Sequence, residues 1–269
     1  MLLFLATTGV GMVLAAGPPS GGLLLATLTG VALTVGGAAT LNEFLERDLD
    51  ARMARTAGRP LPAGRLRPRP VLLFGLALCV LGGAELALAV RPAAALLAAA
   101  GAAHYAVLYT LVLKPRSPQG AIPGGLAGVF PPLIGWTATG VPWSTTTLYL
   151  CALVFFWSPP HFWSLTLARN ADYMRAGLPT LPAAYGETHT RARISAYVLA
   201  VVGISLLPVA TGVLGTEYLV PAGLAGAAWV GQLLRVMLSR TPQAAFALHK
   251  LSGLYLVLVL AAMAFARLV

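Results

Sequence analysis

Asn42, Glu46 and Asp50 stand four residues apart in the stretch NEFLERDLDARMARTAGRPLP. On a helix that spacing puts all three on one face, drifting by only about 80° over eight residues. With Glu43 and Asp48 nearby, four of the eight acidic residues fall within eight positions, although Asp48 points away from the Asn42 face. Carboxylate and amide oxygens are the hard ligands that Mg²⁺ takes, often with substrate phosphates completing the shell. Acids at the end of an apolar helix cost free energy unless paired, which makes the cluster a functional hypothesis. The other reading is a solvated helix end whose acids pair with the adjacent arginines.

A metal–phosphate site needs cations as well, and three are at hand. Arg59 sits in the RPLP of the same stretch, and Lys114 and Arg116 follow Tyr109 in YTLVLKPRSPQGAIPGG. Arginine and lysine are the side chains that bind phosphates; they are equally the residues that fix topology. A third stretch, FFWSPPHFWSLTLARNADYMRAGLPTLP, brings His161 just after Pro159 and Pro160, and Asp172 about one loop further on. Paired prolines are expected to break a membrane helix there, leaving backbone to be satisfied by a cavity or by neighbours. His161 is open to three roles: iron ligand, base, or hydrogen-bonded core residue. His104 is a second candidate for a polar contact within the bundle. His189 and His249 are read as structural or interfacial, and Glu85 as an intramembrane acid needing an unidentified partner.

The elements that must position these residues are membrane helices. Of the 269 residues 58% are hydrophobic and only 10% charged, where a soluble domain carries roughly 25% charged residues. Nine apolar segments follow one another, at 1–16, 22–46, 70–90, 93–113, 120–139, 144–168, 193–214, 218–238 and 248–266. The expected fold class is thus an all-α membrane protein, one domain over 1–269. The first segment is short for a span of about 20 residues; it is either a short tilted helix or the remainder of one that begins upstream. The net charge of +10 does not point to nucleic acid. Every Lys and Arg except Arg91 and Arg267 lies in or beside the loops 47–69, 114–119, 169–193 and 235–250. Such alternation is a topology signal, and it makes those loops and the N-terminus cytoplasmic. Cys79 and Cys151 lie in apolar runs and read as packing residues. The loops after the second and sixth segments both run from acids and arginines to a proline bend, RPLP and GLPTLP, hinting at an internal duplication.

The pattern N-x-x-x-[DE]-x-x-x-D with RPLP downstream resembles the intramembrane prenyltransferases of the UbiA superfamily. Within it, 42–62, 109–136 and 156–182 are similar to the subfamily that farnesylates haem. The resemblance covers nearly the whole chain. It implies nine helices around a central cavity that opens sideways to lipid, in the inner cell membrane. It implies a Mg²⁺-dependent transfer of a farnesyl group from farnesyl diphosphate to a vinyl group of haem b, with haem A synthase as a partner protein. Carried over, Asn42, Glu46 and Asp50 hold the metal and diphosphate, Asp172 stands for a second acidic motif, and Arg59 and Lys114 neutralise the leaving group. Tyr109 and Arg116 join them from the matching stretch, and His161 and His104 are the candidates for orienting haem. This chain departs from the pattern in three places. Ala168 and Ala176 flank Asp172 where D-x-x-x-D is common, Glu46 stands where many members have Asp, and the first helix lacks a basic lead-in.

Three other functions compete. An aromatic quinone precursor such as 4-hydroxybenzoate as acceptor keeps the chemistry. A secondary transporter would suit duplicated halves, but the acids sit at a helix end rather than at midplane. A haem-delivery scaffold would need no metal-binding acids at all.

Overall fold

The computed structural model describes residues 1–269, and they are helical almost throughout. In chain order the α-helices are α1 (Leu2–Ala16), α2 (Gly21–Asp50), α3 (Pro68–Glu85), α4 (Pro92–Ala103), α5 (Lys114–Arg116), α6 (Ala121–Gly124), α7 (Phe130–Ala138), α8 (Thr145–Ala168), α9 (Asn170–Arg175), α10 (Leu181–Ala210), α11 (Thr216–Ser239) and α12 (Pro242–Leu268). Two π-helical segments, Leu86–Val90 and His104–Leu113, continue α3 and α4, and a 3₁₀ segment, Gly125–Val129, joins α6 to α7. Seven helical spans are long and apolar enough to cross a membrane: Gly21–Asp50, Pro68–Val90, Pro92–Arg116, Thr145–Ala168, Leu181–Ala210, Thr216–Ser239 and Pro242–Leu268. The chain is a multi-pass membrane protein.

Two of the nine expected segments are not of that kind. α1 has 15 residues, and the 120–139 run is divided into α6, the 3₁₀ turn and α7. Its sequence explains the division: Gly124, Gly125 and Gly128 favour no helix, and Pro123, Pro131 and Pro132 lack the N–H that would bond back four residues. The opposite happens at Pro159–Pro160. The expected break is absent and α8 runs unbroken from Thr145 to Ala168. Two prolines remove only two ladder bonds, and close packing of this helix against α10 and α12 supports the rest.

Helix α2 starts from Ser20, whose hydroxyl accepts the Leu23 N–H at 3.4 Å. At 1.5 Å per residue its 30 residues extend about 45 Å, more than a hydrocarbon core of about 30 Å. That length leaves room for its acidic last turns to stand beyond such a layer. α2 is seated on α3 by glycines. A methyl group on Gly37 would come within 2.7 Å of the Gly75 carbonyl oxygen, and one on Gly82 within 2.6 Å of the Gly30 carbonyl oxygen. Small residues are what lets helix backbones approach in lipid. The rest of α3 faces outward, with Leu73, Phe74, Val80 and Leu81 exposed.

The main core lies among α8, α10, α11 and α12, where Trp163, Trp229, Tyr218 and Tyr255 are fully buried. Trp229 stacks on Tyr255 at 4.5 Å between centroids. α1 packs on α7 and α12 and closes the ring on that side. A separate small cluster of Met53, Tyr173, Ala176 and Leu178, backed by Leu49, joins the two long loops over one end of the bundle. Cys79 and Cys151 are unpaired thiols, and Glu85 makes no ion pair.

Candidate active site

The acidic end of α2 opens onto a cavity of about 530 Å³. Asn42, Glu46 and Asp50 line it, 8%, 7% and 1% exposed, so the i, i+4, i+8 spacing does place the three on one inward face. Each is held by a partner. Asn42 Nδ2 donates to Thr110 Oγ1 at 2.9 Å, leaving the amide oxygen for other contacts. Lys114 Nζ lies 2.6 and 2.7 Å from the two carboxylate oxygens of Glu46. Arg59 Nη1 donates to Asp50 Oδ2 at 2.8 Å and stands 3.8 Å from Glu43. The Asp50 carbonyl accepts the Thr56 hydroxyl at 2.9 Å, which pins the start of the 51–67 loop. Both readings of the acids are thus physically realised: they pair with cations, and they do so inside a cavity rather than on a solvated surface.

Lys114 reaches Glu46 because of the π-helical segment. Tyr105, Tyr109 and Lys114 all line the cavity. In an α-helix nine residues sweep about 900°, which would leave Lys114 half a turn away from Tyr105. With i→i+5 bonding a turn takes about 4.4 residues, so nine residues make about two whole turns and return to the same face. Tyr105 and Tyr109 stack at 6.0 Å between centroids. The Thr110 hydroxyl bonds back to the Tyr105 carbonyl at 2.8 Å, a span of five residues.

The sequence-based site is only partly assembled here. Asp172 does not reach the cavity wall. Its Oδ1 accepts the Ala54 N–H and an Arg175 guanidinium N–H, both at 3.1 Å, so it ties α9 to the 51–67 loop. Arg116 turns back to the Leu111 carbonyl at 3.0 Å. His104 sits on the Pro123 carbonyl at 2.9 Å. His161 does line the cavity, on the α8 wall, with Trp157 and Ser158. Sequence reasoning missed Arg55, Tyr105 and Tyr173, which also line it. Burial pushes the Tyr173 phenol up, against the lowering influence of the nearby Arg55 cation. The four-residue spacing of Arg55 and Arg59 was the available signal for the first.

No three His, Cys, Asp or Glu side chains converge into a self-sufficient metal site. Two carboxylates and one amide oxygen are nonetheless the set that suits Mg²⁺ held jointly with substrate phosphates. Glu46 Oε1 is buried and meets only the Lys114 ammonium, at 2.6 Å, and Asn42 keeps its amide oxygen for other contacts, so the donor chemistry fits such an ion. Beside this polar cavity lies a second of about 240 Å³, lined by Val31, Val35, Ala38, Ala98, Phe130, Ile134 and other chiefly apolar residues. The two share Met1, Phe4, Tyr105 and Ala127. The arrangement offers a charged mouth for a polar head and a contiguous dry chamber for an apolar tail.

Comparison with known proteins points the same way. The UbiA prenyltransferase family model matches residues 4–257. A protoheme IX farnesyltransferase of Roseiflexus sp. (strain RS-1) is 41% identical over 268 residues, which is 100% of this chain and 50% of that protein. The chain therefore spans about half the length of such relatives. Protoheme IX farnesyltransferase 1 of Pseudomonas putida (strain W619) is 44% identical over 95% of this chain and 86% of its own. In fold, the chain is similar to an apo UbiA homolog from Aeropyrum pernix K1, with a TM-score of 0.79 at 20% identity over 97% and 95% of the two chains. It is also similar to a UbiA homolog from Archaeoglobus fulgidus bound to GPP and Mg²⁺, with a TM-score of 0.68 at 17% identity over the same shares. An inward-facing N-x-x-x-E-x-x-x-D helix, a bundle shared with solved homologs and a match along almost its full length have one common explanation: this chain belongs to the UbiA prenyltransferase family.

Proposed function

We propose that this protein transfers a farnesyl group from farnesyl diphosphate to a vinyl group of haem b, giving haem O for haem–copper oxidases. The observation that carries the reading is the charged mouth of Asn42, Glu46, Asp50, Arg59 and Lys114 set against an apolar chamber with which it shares Met1, Phe4, Tyr105 and Ala127. The names of relatives at 41% and 44% identity support haem as acceptor and farnesyl as donor. The Archaeoglobus homolog bound to GPP and Mg²⁺ supports a metal–diphosphate at the mouth. We place the protein in the inner cell membrane with its N-terminus and Arg-rich loops cytoplasmic. The short α1 and the α6–α7 segment complete a nine-helix count, and haem A synthase is the proposed partner.

Asn42, Glu46 and Asp50 are the residues that would hold Mg²⁺, which supplies positive charge on the diphosphate oxygens as the allylic C–O bond breaks. Arg59 and Lys114 already lie within 2.8 Å of those carboxylates and add fixed positive charge where negative charge develops. Preorganised charge of this kind is often the largest catalytic contribution. Arg55, which lines the cavity with Tyr173, extends the cationic rim. The apolar chamber binds the prenyl tail and keeps water from the carbocation. The vinyl π electrons form the new C–C bond, water adds to the resulting cation, and one proton leaves. Haem, farnesyl diphosphate and water thus give hydroxyethylfarnesyl haem and diphosphate. Asp172 acts one step away, holding the 51–67 loop over the mouth.

The test is the mass of haem recovered after detergent-purified protein is incubated with haem b, farnesyl diphosphate and Mg²⁺. A gain of one hydroxyethylfarnesyl group, abolished by EDTA, is the expected result. Unmodified haem from folded protein, with an established enzyme active in the same assay, overturns the acceptor, and aromatic acceptors are then tried.

A further inference from the structure

The α8 wall of the cavity carries a second polar assembly that the diphosphate chemistry does not use. His161 Nδ1 lies 2.6 Å from Ser252 Oγ on α12, and Ser252 Oγ lies 2.6 Å from the His249 carbonyl oxygen. A serine hydroxyl has one proton, and a carbonyl oxygen can only accept. Both short contacts are satisfied in one way. Ser252 donates to the His249 carbonyl, and His161 Nδ1–H donates to Ser252. The reverse arrangement sets an oxygen lone pair against the carbonyl at 2.6 Å. His161 is therefore the Nδ1–H tautomer, and its Nε2, which makes no hydrogen bond within the protein, carries a lone pair on a residue that lines the cavity.

The ring is also held in place. Trp157 stacks on it at 4.3 Å between centroids, and the His249 ring lies at 4.2 Å. Trp157 Nε1 donates to the Ser252 carbonyl at 2.8 Å, and His249 Nδ1 donates to the His161 carbonyl at 2.9 Å. Ser252 is fully buried. These contacts lock one imidazole in one tautomer and one orientation, the requirement for a metal ligand oriented by its outer partners. A purely structural histidine in this position needs no open nitrogen on a cavity.

We infer that Ser252 is a positioning residue that presents His161 Nε2 as a ligand to the iron of the porphyrin substrate. The inference rests on haem as the acceptor and adds how haem is oriented at the α8 wall.

The test is ferric haem b titrated into the full chain in detergent, without farnesyl diphosphate, read by visible and electron paramagnetic resonance spectra. Wild type is expected to show an imidazole-ligated iron. His161→Ala should lose that signature and regain it with added imidazole. Ser252→Ala should weaken haem binding about 10- to 100-fold, the usual effect of removing such an outer partner, and Ser252→Thr, which keeps the hydroxyl, should retain the signature. A His161→Ala spectrum identical to wild type, or haem affinity unchanged in Ser252→Ala, overturns the inference. Product mass from the same preparations separates the two ideas. If haem is farnesylated but its spectrum ignores His161, the ligand falls and the acceptor stands. If wild type neither binds nor modifies haem, both fall.

Discussion

Lys114 and Glu46 lie 68 residues apart in sequence, yet Nζ stands 2.7 Å from Oε2 at the wall of a cavity. Glu46 is 7% exposed, so removing the lysine leaves a carboxylate without its counter-charge in a largely dry position. Breaking such a pair costs more than making it gains. Lys114→Ala is expected to lower turnover about 100-fold, the scale of losing one preorganised charge, and to lower thermal stability in detergent. The double variant Glu46→Gln with Lys114→Met should recover stability without turnover. Recovery of both would mean that the pair is structural only.

Asp50 is more deeply buried and takes Arg59 at 2.8 Å. Asp50→Asn preserves shape and removes the negative charge that favours a divalent cation. Turnover should fall by about 100-fold or more, and the Mg²⁺ concentration for half-maximal rate should rise. A magnesium titration of both proteins gives the answer, and an unchanged midpoint would remove Asp50 from the metal-binding set.

Asp172 occupies a different place. Its carboxylate, 12% exposed, joins the Ala54 N–H to α9. Asp172→Ala should lower stability by about 1–2 kcal/mol, the range for a charged hydrogen bond with some solvent access. Trypsin should then cut faster at Arg52, Arg55 or Arg59 while turnover falls less than in Asp50→Asn. Equal turnover losses with unchanged proteolysis would place Asp172 in the chemistry instead.

The π-helical segment makes a prediction about register. Deleting Val107 should let 104–113 relax toward an α-helix and rotate Lys114 by about 80° off the cavity face. Helix content by circular dichroism should be retained while turnover is lost. Retained turnover would show that the wide turn is not what aims Lys114.

Gly82 tests the seat of α2. Gly82→Leu would drive a side chain into Gly30 and Thr34 and should cost about 1–3 kcal/mol or more as overpacking, seen as a lower melting temperature in detergent. An unchanged melting temperature would show that α2 and α3 can move apart freely.

Much of this was legible in the sequence, for reasons that differ by residue. Asn42, Glu46 and Asp50 follow the ordinary helical period, so spacing alone gave their shared face. Lys114 could be placed at the same end of the bundle as the acids by charge alternation, but its direction depends on a change of helical pitch that leaves no period to read. Asp172 was visible as an acid near the same end. Its partner is the backbone N–H of Ala54, a group every residue has, so nothing in the sequence marks it. His161 stood out after Pro159–Pro160, whereas Ser252, 91 residues later, is one serine among apolar residues. The break expected at those prolines was an overreach of a rule for isolated helices, since α8 is supported on two sides by α10 and α12.

The glycine seat between α2 and α3 has one more consequence. It is a contact of shape, with no charge in it, whereas the mouth is held by ion pairs, one of them the partly exposed Arg59–Glu43 contact at 3.8 Å. The two parts of the site therefore answer to different solution variables. Raising ionic strength screens the exposed Arg59–Glu43 contact at the mouth far more than the buried pairs, and the helix that carries Asn42, Glu46 and Asp50 keeps its place against α3.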